Sequence, residues 1–441
     1  MFPITTQQLD EAIRACGVGM LTEATIRQMC SVAAQAEESA GERMVHLEIG
    51  NPGLPASHIG VEAEKKALDA GVANQYPNIG GIPELKSAGE RFIKAFLGID
   101  VPKEGIIPTV GSMQGSFTLM LLLGQRDPKR DTMLFLNPGF PAQPTQAHIL
   151  GLKQASFDIY NYRGAKLEAK LEEMMANDNI TAMIYSSPNN PAWTNLTDEE
   201  LQIIARVCDR HDVIIMEDLA YMGMDFRHDY SHPFEAPYVP TVARYTDNYI
   251  LLLSGSKIFS YAGQRIAMVC MSPKVANRSF PALVDFYHMP TFINAYIFGV
   301  LYAASSGTSH SAQCALAAML DAAADGKLNF VDDSREYGRR GERAKKIFTD
   351  NGFEIIYALD GEEPIGDGFF FTVGYPGMDS ETIQRELLRH GVSAISLPGT
   401  GSKQHGIRVC VSMLDSDKTF QDLEKRDRKS TRLNSSHTPQ S

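Results

Sequence analysis

Five short runs in this chain are apolar at every position: Met133–Leu136, Ala182–Tyr185, Val213–Met216, Ile250–Leu253 and Ala267–Met271. None alternates with polar residues, so each must bury both of its faces. Helical patterns of 10 to 20 residues separate several of them. That combination predicts an α/β large domain with a mostly parallel sheet covered by helices. From Val331 the texture changes. A long charged helix, SREYGRRGERAKKIF, leads to strand candidates at Gly352–Ile356, Gly368–Val373 and Ile407–Ser412, with a helix at Ser380–His390. Mixed elements of that kind predict a smaller α+β domain. The expected division is 50–310 for the large domain and 1–49 with 311–426 for the small one.

Composition narrows the class. With 441 residues and 44% hydrophobic content, the chain can bury a large core. No apolar run reaches the ~18 residues of a membrane span, and the start MFPITTQQLDEAIRACG has no leader-like progression. A net charge of −12 argues against general nucleic-acid binding. Six scattered cysteines without a CxxC pair suit free thiols in a reducing cytoplasm. The stretch DRKSTRLNSSHTPQS is abruptly basic and lacks an apolar period, so residues 427–441 are expected to be a non-native tail.

The run LLLSGSKIFSYAGQRIAM carries the chemistry. A buried strand delivers Ser254, Ser256 and Lys257, and Arg265 follows eight residues after the lysine. An amine beside two hydroxyls, with a guanidinium fork that suits a phosphate, is what a Schiff-base lysine for pyridoxal 5'-phosphate requires. A solvated lysine at a strand end and a surface arginine would read the same way in isolation.

Further segments supply the remaining groups. Val110-Gly111-Ser112-Met113 opens a long apolar helix, where backbone N–H groups suit a phosphate. Asn137-Pro138-Gly139-Phe140-Pro141 presents Phe140 from a rigid turn, able to lie flat on an aromatic ring. Ser187-Pro188-Asn189-Asn190-Pro191 follows a strand and offers an amide to a phenolic oxygen. The strand Val213–Met216 runs into Glu217, Asp218 and then Tyr221. One of the two acids would hold a proton on a pyridine nitrogen, and because they face opposite sides only one can enter the site. Arg408, on a small-domain strand, has the fork to bind a carboxylate. In open α/β sheets ligands sit beyond the carboxyl ends of strands, which is where these segments fall.

Together these residues resemble the class I/II aminotransferases, fold-type I pyridoxal-phosphate enzymes, from about Leu47 to Met413. The resemblance implies that Lys257 is the Schiff-base lysine and Asp218 the partner of the ring nitrogen. It implies that Tyr221 and Asn190 bind the ring hydroxyl and that Phe140 stacks on the ring. Ser112, Met113, Ser254 and Arg265 match the phosphate cradle, with Ser256 a further hydroxyl. Arg408 matches the arginine for the α-carboxylate, and Ile49-Gly50 the loop that closes over it. QYPNIGGIPELKSA resembles the segment whose tyrosine, here Tyr76, crosses a homodimer interface to the neighbour's phosphate. The usual Asn-Pro-Thr-Gly loop reads Asn190-Pro191-Ala192-Trp193, losing its hydroxyl and its glycine.

The expected reaction is ping-pong transamination between an α-amino acid and a 2-oxo acid. Tyr76, Trp193, Met222 and the Phe286–Phe298 stretch suggest a neutral or aromatic donor. A β-lyase or other α-carbon chemistry on the same scaffold is the alternative, and a non-catalytic regulatory module is disfavoured for want of a DNA-binding domain. No GxSxG elbow, HExxH or P-loop pattern is present, and no metal site is expected.

Overall fold

The computed structural model describes residues 1–432. Its centre is a seven-stranded sheet, built in chain order from β1 (Ile106–Val110), β2 (Thr132–Asn137), β3 (Lys153–Asp158), β4 (Ile180–Ser186), β5 (Ile214–Asp218), β6 (Tyr249–Ser254) and β7 (Ile266–Met271). The spatial order is β1-β7-β6-β5-β4-β2-β3. Neighbours run parallel except β7, which is antiparallel to both β1 and β6. A parallel return needs a dozen or more residues of crossover, and the link from Ser254 to Ile266 is shorter. The chain therefore turns back on itself there, carrying Lys257 and Arg265 in the turn.

The apolar runs are buried on both faces, as their composition requires. Alternate residues fall into two different cores: Met133, Ala182, Ile214, Ile250 and Val269 pack on one side. Leu134, Met183, Ile215, Leu251 and Met268 pack on the other. The carboxyl ends of β1, β2, β4, β5 and β6 share one edge with the start of β7.

A second sheet holds β8 (Glu354–Ile355), β9 (Phe370–Gly374), β10 (Ile395–Ser396) and β11 (Ile407–Cys410), in the antiparallel order β10-β11-β9-β8. The N-terminal helices Thr6–Ala15 and Ile26–Ala40 each open on a capping box, Thr5 with Gln8 and Thr25 with Gln28. They bury Leu9, Met29 and Val32 against Leu388 and Ile395. Val45–His46 pairs in parallel with Val392–Ser393, and the chain then passes across the mouth between the two sheets.

The helix Asp417–Arg432 runs through the expected tail junction. Within it, Asp427 is buried and accepts from Asn351 at 2.9 Å. Residues 433–441 of the expected tail lie outside the described residues. No helix among the described residues is long and apolar enough to cross a membrane.

Candidate active site

The reversal between β6 and β7 is held by its own serine. Ser254 Oγ accepts from the Ser256 amide at 3.0 Å and caps the single helical turn Gly255–Ile258. Lys257 projects from that turn. Its amine donates to the Gly50 carbonyl and lies 5.4 Å from the centre of the Phe369 ring. Burial, reinforced by the charges of Arg408 and Arg265 and opposed by Cys410, pushes its pKa down to about 8.

Arg265 begins the return strand in a left-handed conformation (φ 51°) and meets Gly111 at the end of β1. Gly111 is itself left-handed (φ 68°), and a Cβ there would stand 2.3 Å from Arg265 Nη2. The left-handed backbone favours glycine at 111, and a Cβ there would also displace the Arg265 guanidinium. It opens the 15-residue helix Gly111–Gln125, whose first turn holds a buried Ser112 hydroxyl with no hydrogen-bond partner among the described residues. A guanidinium, free helical N–H groups and an orphaned hydroxyl converge here, a donor set that fits a phosphate. The Met113 side chain is 38% exposed, while its carbonyl accepts from Gln146 at 2.9 Å.

At the end of β5 the two neighbouring acids part. Asp218 is buried and accepts from Gln143 Nε2 at 3.1 Å and from the Ala220 amide at 3.2 Å. Burial raises its pKa to about 6 against those two bonds. Glu217 faces the other core, where Tyr185, Thr241 and the Val242 amide surround it, and burial raises it to about 7. Asp218 is thus the acid on the side of Gln143 and of the half-buried Phe140, whose carbonyl accepts the Gln143 amide at 3.1 Å.

Arg408, on β11, is 1% exposed. It donates to Asn190 Oδ1 at 3.2 Å and to the Glu48 carbonyl at 2.6 Å, and its guanidinium rests 4.5 Å above Phe370. Its Nε has no partner among the described residues. Tyr221 packs edge-on to Phe370 with ring centres 5.3 Å apart. Lys257, Gly50, Asn190, Tyr221 and Arg408 thus lie together between the two sheets, with Asp218 on the sheet edge below. Tyr76 does not join them: it is 94% exposed on the loop after Val72–Asn74.

Sequence reading passed over Gln143, Glu48, Phe369 and Phe370. Gln143 carried a signal, being a polar residue in the first turn of a helix that starts at the carboxyl edge of the sheet. Glu48 contributes a backbone atom, for which side-chain patterns give no signal.

Known proteins are similar to this chain in sequence and in fold. The family described as Aminotransferase class I and II matches residues 42–420. The aspartate aminotransferase of Pyrococcus horikoshii is 24% identical over 88% of this chain and 89% of its own length. Aromatic-amino-acid aminotransferase 2 of Thermococcus litoralis is 31% identical over 41% of this chain and 46% of its own. Among solved structures, the aspartate aminotransferase from Thermus thermophilus with maleate superposes with a TM-score of 0.71 at 20% identity, covering 95% of this chain and 98% of that one. The chain belongs to the class I and II aminotransferases and has their fold-type I architecture. It is an enzyme of the aminotransferase group.

Proposed function

We propose that the chain uses pyridoxal 5'-phosphate to move an amino group from a neutral or aromatic α-amino acid to a 2-oxo acid by a ping-pong mechanism. The observation that carries this reading is the β6–β7 reversal, which sets Lys257 beside the Gly111–Arg265 cradle with Arg408 facing it across the sheets. Pyridoxal phosphate supplies an electron sink that makes the substrate Cα–H bond acidic.

The chain's residues do the rest. Lys257 is the group to hold the cofactor covalently, and its Nζ then takes the Cα proton and returns it. A pKa near 8 leaves a useful fraction of the amine unprotonated at neutral pH. Arg265, Ser112 and the first amides of the helix Gly111–Gln125 bind the phosphate, with Ser254, Ser256 and Met113 shaping its walls. Asp218, whose pKa burial raises to about 6, would hold a proton on the ring nitrogen. Phe140 would lie against the ring, and Tyr221 and Asn190 would bind its hydroxyl. Arg408 grips the α-carboxylate under the Glu48–Gly50 segment, fixing which bond to Cα faces the base.

The cations that bear on Lys257 are Arg408 and Arg265, both already engaged. The neighbouring walls are aromatic: Tyr221, Phe369 and Phe370. This favours a donor whose side chain carries no charge. Six free cysteines support a cytoplasmic site of action. The exposed Tyr76 supports a homodimer in which it reaches the partner's phosphate.

The visible spectrum of the purified protein with added pyridoxal phosphate tests the reading. A yellow band that bleaches with a neutral or aromatic amino acid and returns with a 2-oxo acid is expected, and bleaching by charged amino acids alone overturns the donor class. A band that no amino acid bleaches, or no band at all, overturns the reading.

A further inference from the structure

Trp193 occupies an unusual place for a large residue. It stands on the loop after β4 with left-handed backbone (φ 64°), held by its amide donating to Asn189 O at 2.9 Å. Tryptophan adopts that conformation at a cost that a glycine would avoid. Its side chain is nevertheless fully buried, and its Nε1 has no hydrogen-bond partner among the described residues. Two unfavourable features in one residue call for a compensating gain, and the packing shows where it lies.

The indole crosses from the seven-stranded sheet to the four-stranded one. Its ring centre lies 5.6 Å from Tyr221 and 6.1 Å from Phe370, both edge-on. Phe370 in turn carries Arg408 on its face. Beneath the indole lies Gly368, two residues before β9. A Cβ there would fall 2.1 Å from Trp193 Cε2 and 2.2 Å from Nε1. The backbone of Gly368 is not left-handed, so its own conformation does not demand glycine; the indole does. Two residues after Trp193, the Asn195 amide donates to Asp360 at 3.0 Å, and Asp360 also pairs with Arg163 and Arg227, so the C-terminal flank of the loop is tied to the short hairpin that precedes β9.

We infer that Trp193 is a positioning residue, a wedge seated on Gly368 that sets Phe370 and Arg408 of one sheet in register with Tyr221 and Asn190 of the other. This rests on the proposed role of Arg408 in gripping the donor's carboxylate. The indole, fully buried, acts through Tyr221 and Phe370 and not as a wall of the donor pocket. It fixes the span between the carboxylate grip and the ring-hydroxyl partners, and a misplacement of about 1 Å across such a span lowers productive binding by an order of magnitude or more.

The test is a cycle of Trp193→Gly, Gly368→Ala and the double variant, with Trp193→Phe as the conservative control, all on the full chain reconstituted with pyridoxal phosphate. Trp193 is the only tryptophan. Its emission is blue-shifted in the parent and shifts red in Gly368→Ala, where the methyl displaces the ring. Thermal midpoints read the contact without catalysis: Gly368→Ala lowers Tm when Trp193 is present and leaves it nearly unchanged in the Trp193→Gly background. The functional readout is the concentration of L-phenylalanine, or of whichever amino acid bleaches the parent fastest, that half-saturates bleaching. Trp193→Gly raises it by about tenfold or more with a smaller change in the limiting rate, and Trp193→Phe keeps it near the parent value. An unshifted emission with additive Tm changes overturns the contact. A lowered Tm with unchanged half-saturation in Trp193→Gly overturns the positioning role. If no amino acid bleaches the parent, the transamination reading fails, and the Tm and emission cycle still decides whether the wedge exists.

Discussion

Glu217 and Asp218 are adjacent carboxylic acids on one strand, both buried, and the pleat sends them to opposite fates. Asp218 meets Gln143 on the site's side, whereas Glu217 meets Thr241 and Tyr185 inside the other core. In both, burial raises the folded-state pKa, Glu217 to about 7 and Asp218 to about 6. A folded state that binds its proton more tightly than the unfolded chain loses stability as pH rises through the window between the two pKa values. For Glu217 that window runs from about 4.5 to 7, with a loss on the order of 3 kcal/mol. Glu217→Gln should flatten that part of the pH–stability curve and leave transamination intact, as urea melts at several pH values and a rate assay would record. Asp218→Asn should instead cost at least about a hundredfold in kcat while folding normally. Lys257 makes a complementary prediction. With its pKa lowered to about 8, the rate of forming the yellow band with pyridoxal phosphate should rise with pH and level off just above 8. An ordinary lysine would keep accelerating towards pH 10.

The β6–β7 reversal is the element through which sequence reading and structure agree best. Its strands are apolar on both faces, its turn is short, and Ser254, Lys257 and Arg265 stand on it at the edge where the strand ends meet. Elements whose pattern is weaker were less legible. The edge strand Lys153–Asp158 has one sheet neighbour and leaves its first residues exposed, so it lacks the continuous apolar run that marks the inner strands. The hairpin pairing Leu359–Asp360 with Glu363–Pro364 is too short and polar to announce itself. Contacts made across the fold, such as Gln143 with Asp218 or the indole of Trp193 with Gly368, depend on which elements meet and carry no local signature. Gly111 is intermediate: its place before an apolar helix was readable, its partner was not. Gly111→Ala should force a left-handed alanine and push Arg265 aside. A loss of about 1–3 kcal/mol in stability is expected from the backbone alone. The dissociation constant for pyridoxal phosphate should rise at least about tenfold, measured by titrating the absorbance band.

On the scale of the molecule, the site is assembled from distant parts of the chain. The segment that follows Val45–His46 supplies the Glu48 and Gly50 carbonyls, the large sheet supplies Lys257 and Asp218, and the four-stranded sheet supplies Arg408. Within one chain this set is closed around the amine, while Met113, in the first turn of the helix Gly111–Gln125, is exposed. Tyr76, Phe298 and Tyr302 are exposed too, at 94%, 51% and 61%, large side chains that a monomer gains nothing by presenting to water. A twofold homodimer would cover them and bring each Tyr76 to the partner's phosphate, so that every site takes residues from both copies. Two variants that fail for different reasons decide the matter. Lys257→Ala removes the amine from its own site, and Tyr76→Ala removes the tyrosine from the neighbour's. Each homodimer should be inactive or strongly impaired. After mixing and dissociation–reassociation, half of the dimers are hybrids, and each hybrid holds one site with both residues intact. Recovery of about a quarter of the parental activity is therefore expected. No recovery, from a mixture shown by mass to contain hybrids, would place Tyr76 and Lys257 of the same chain in one site and refute the shared arrangement.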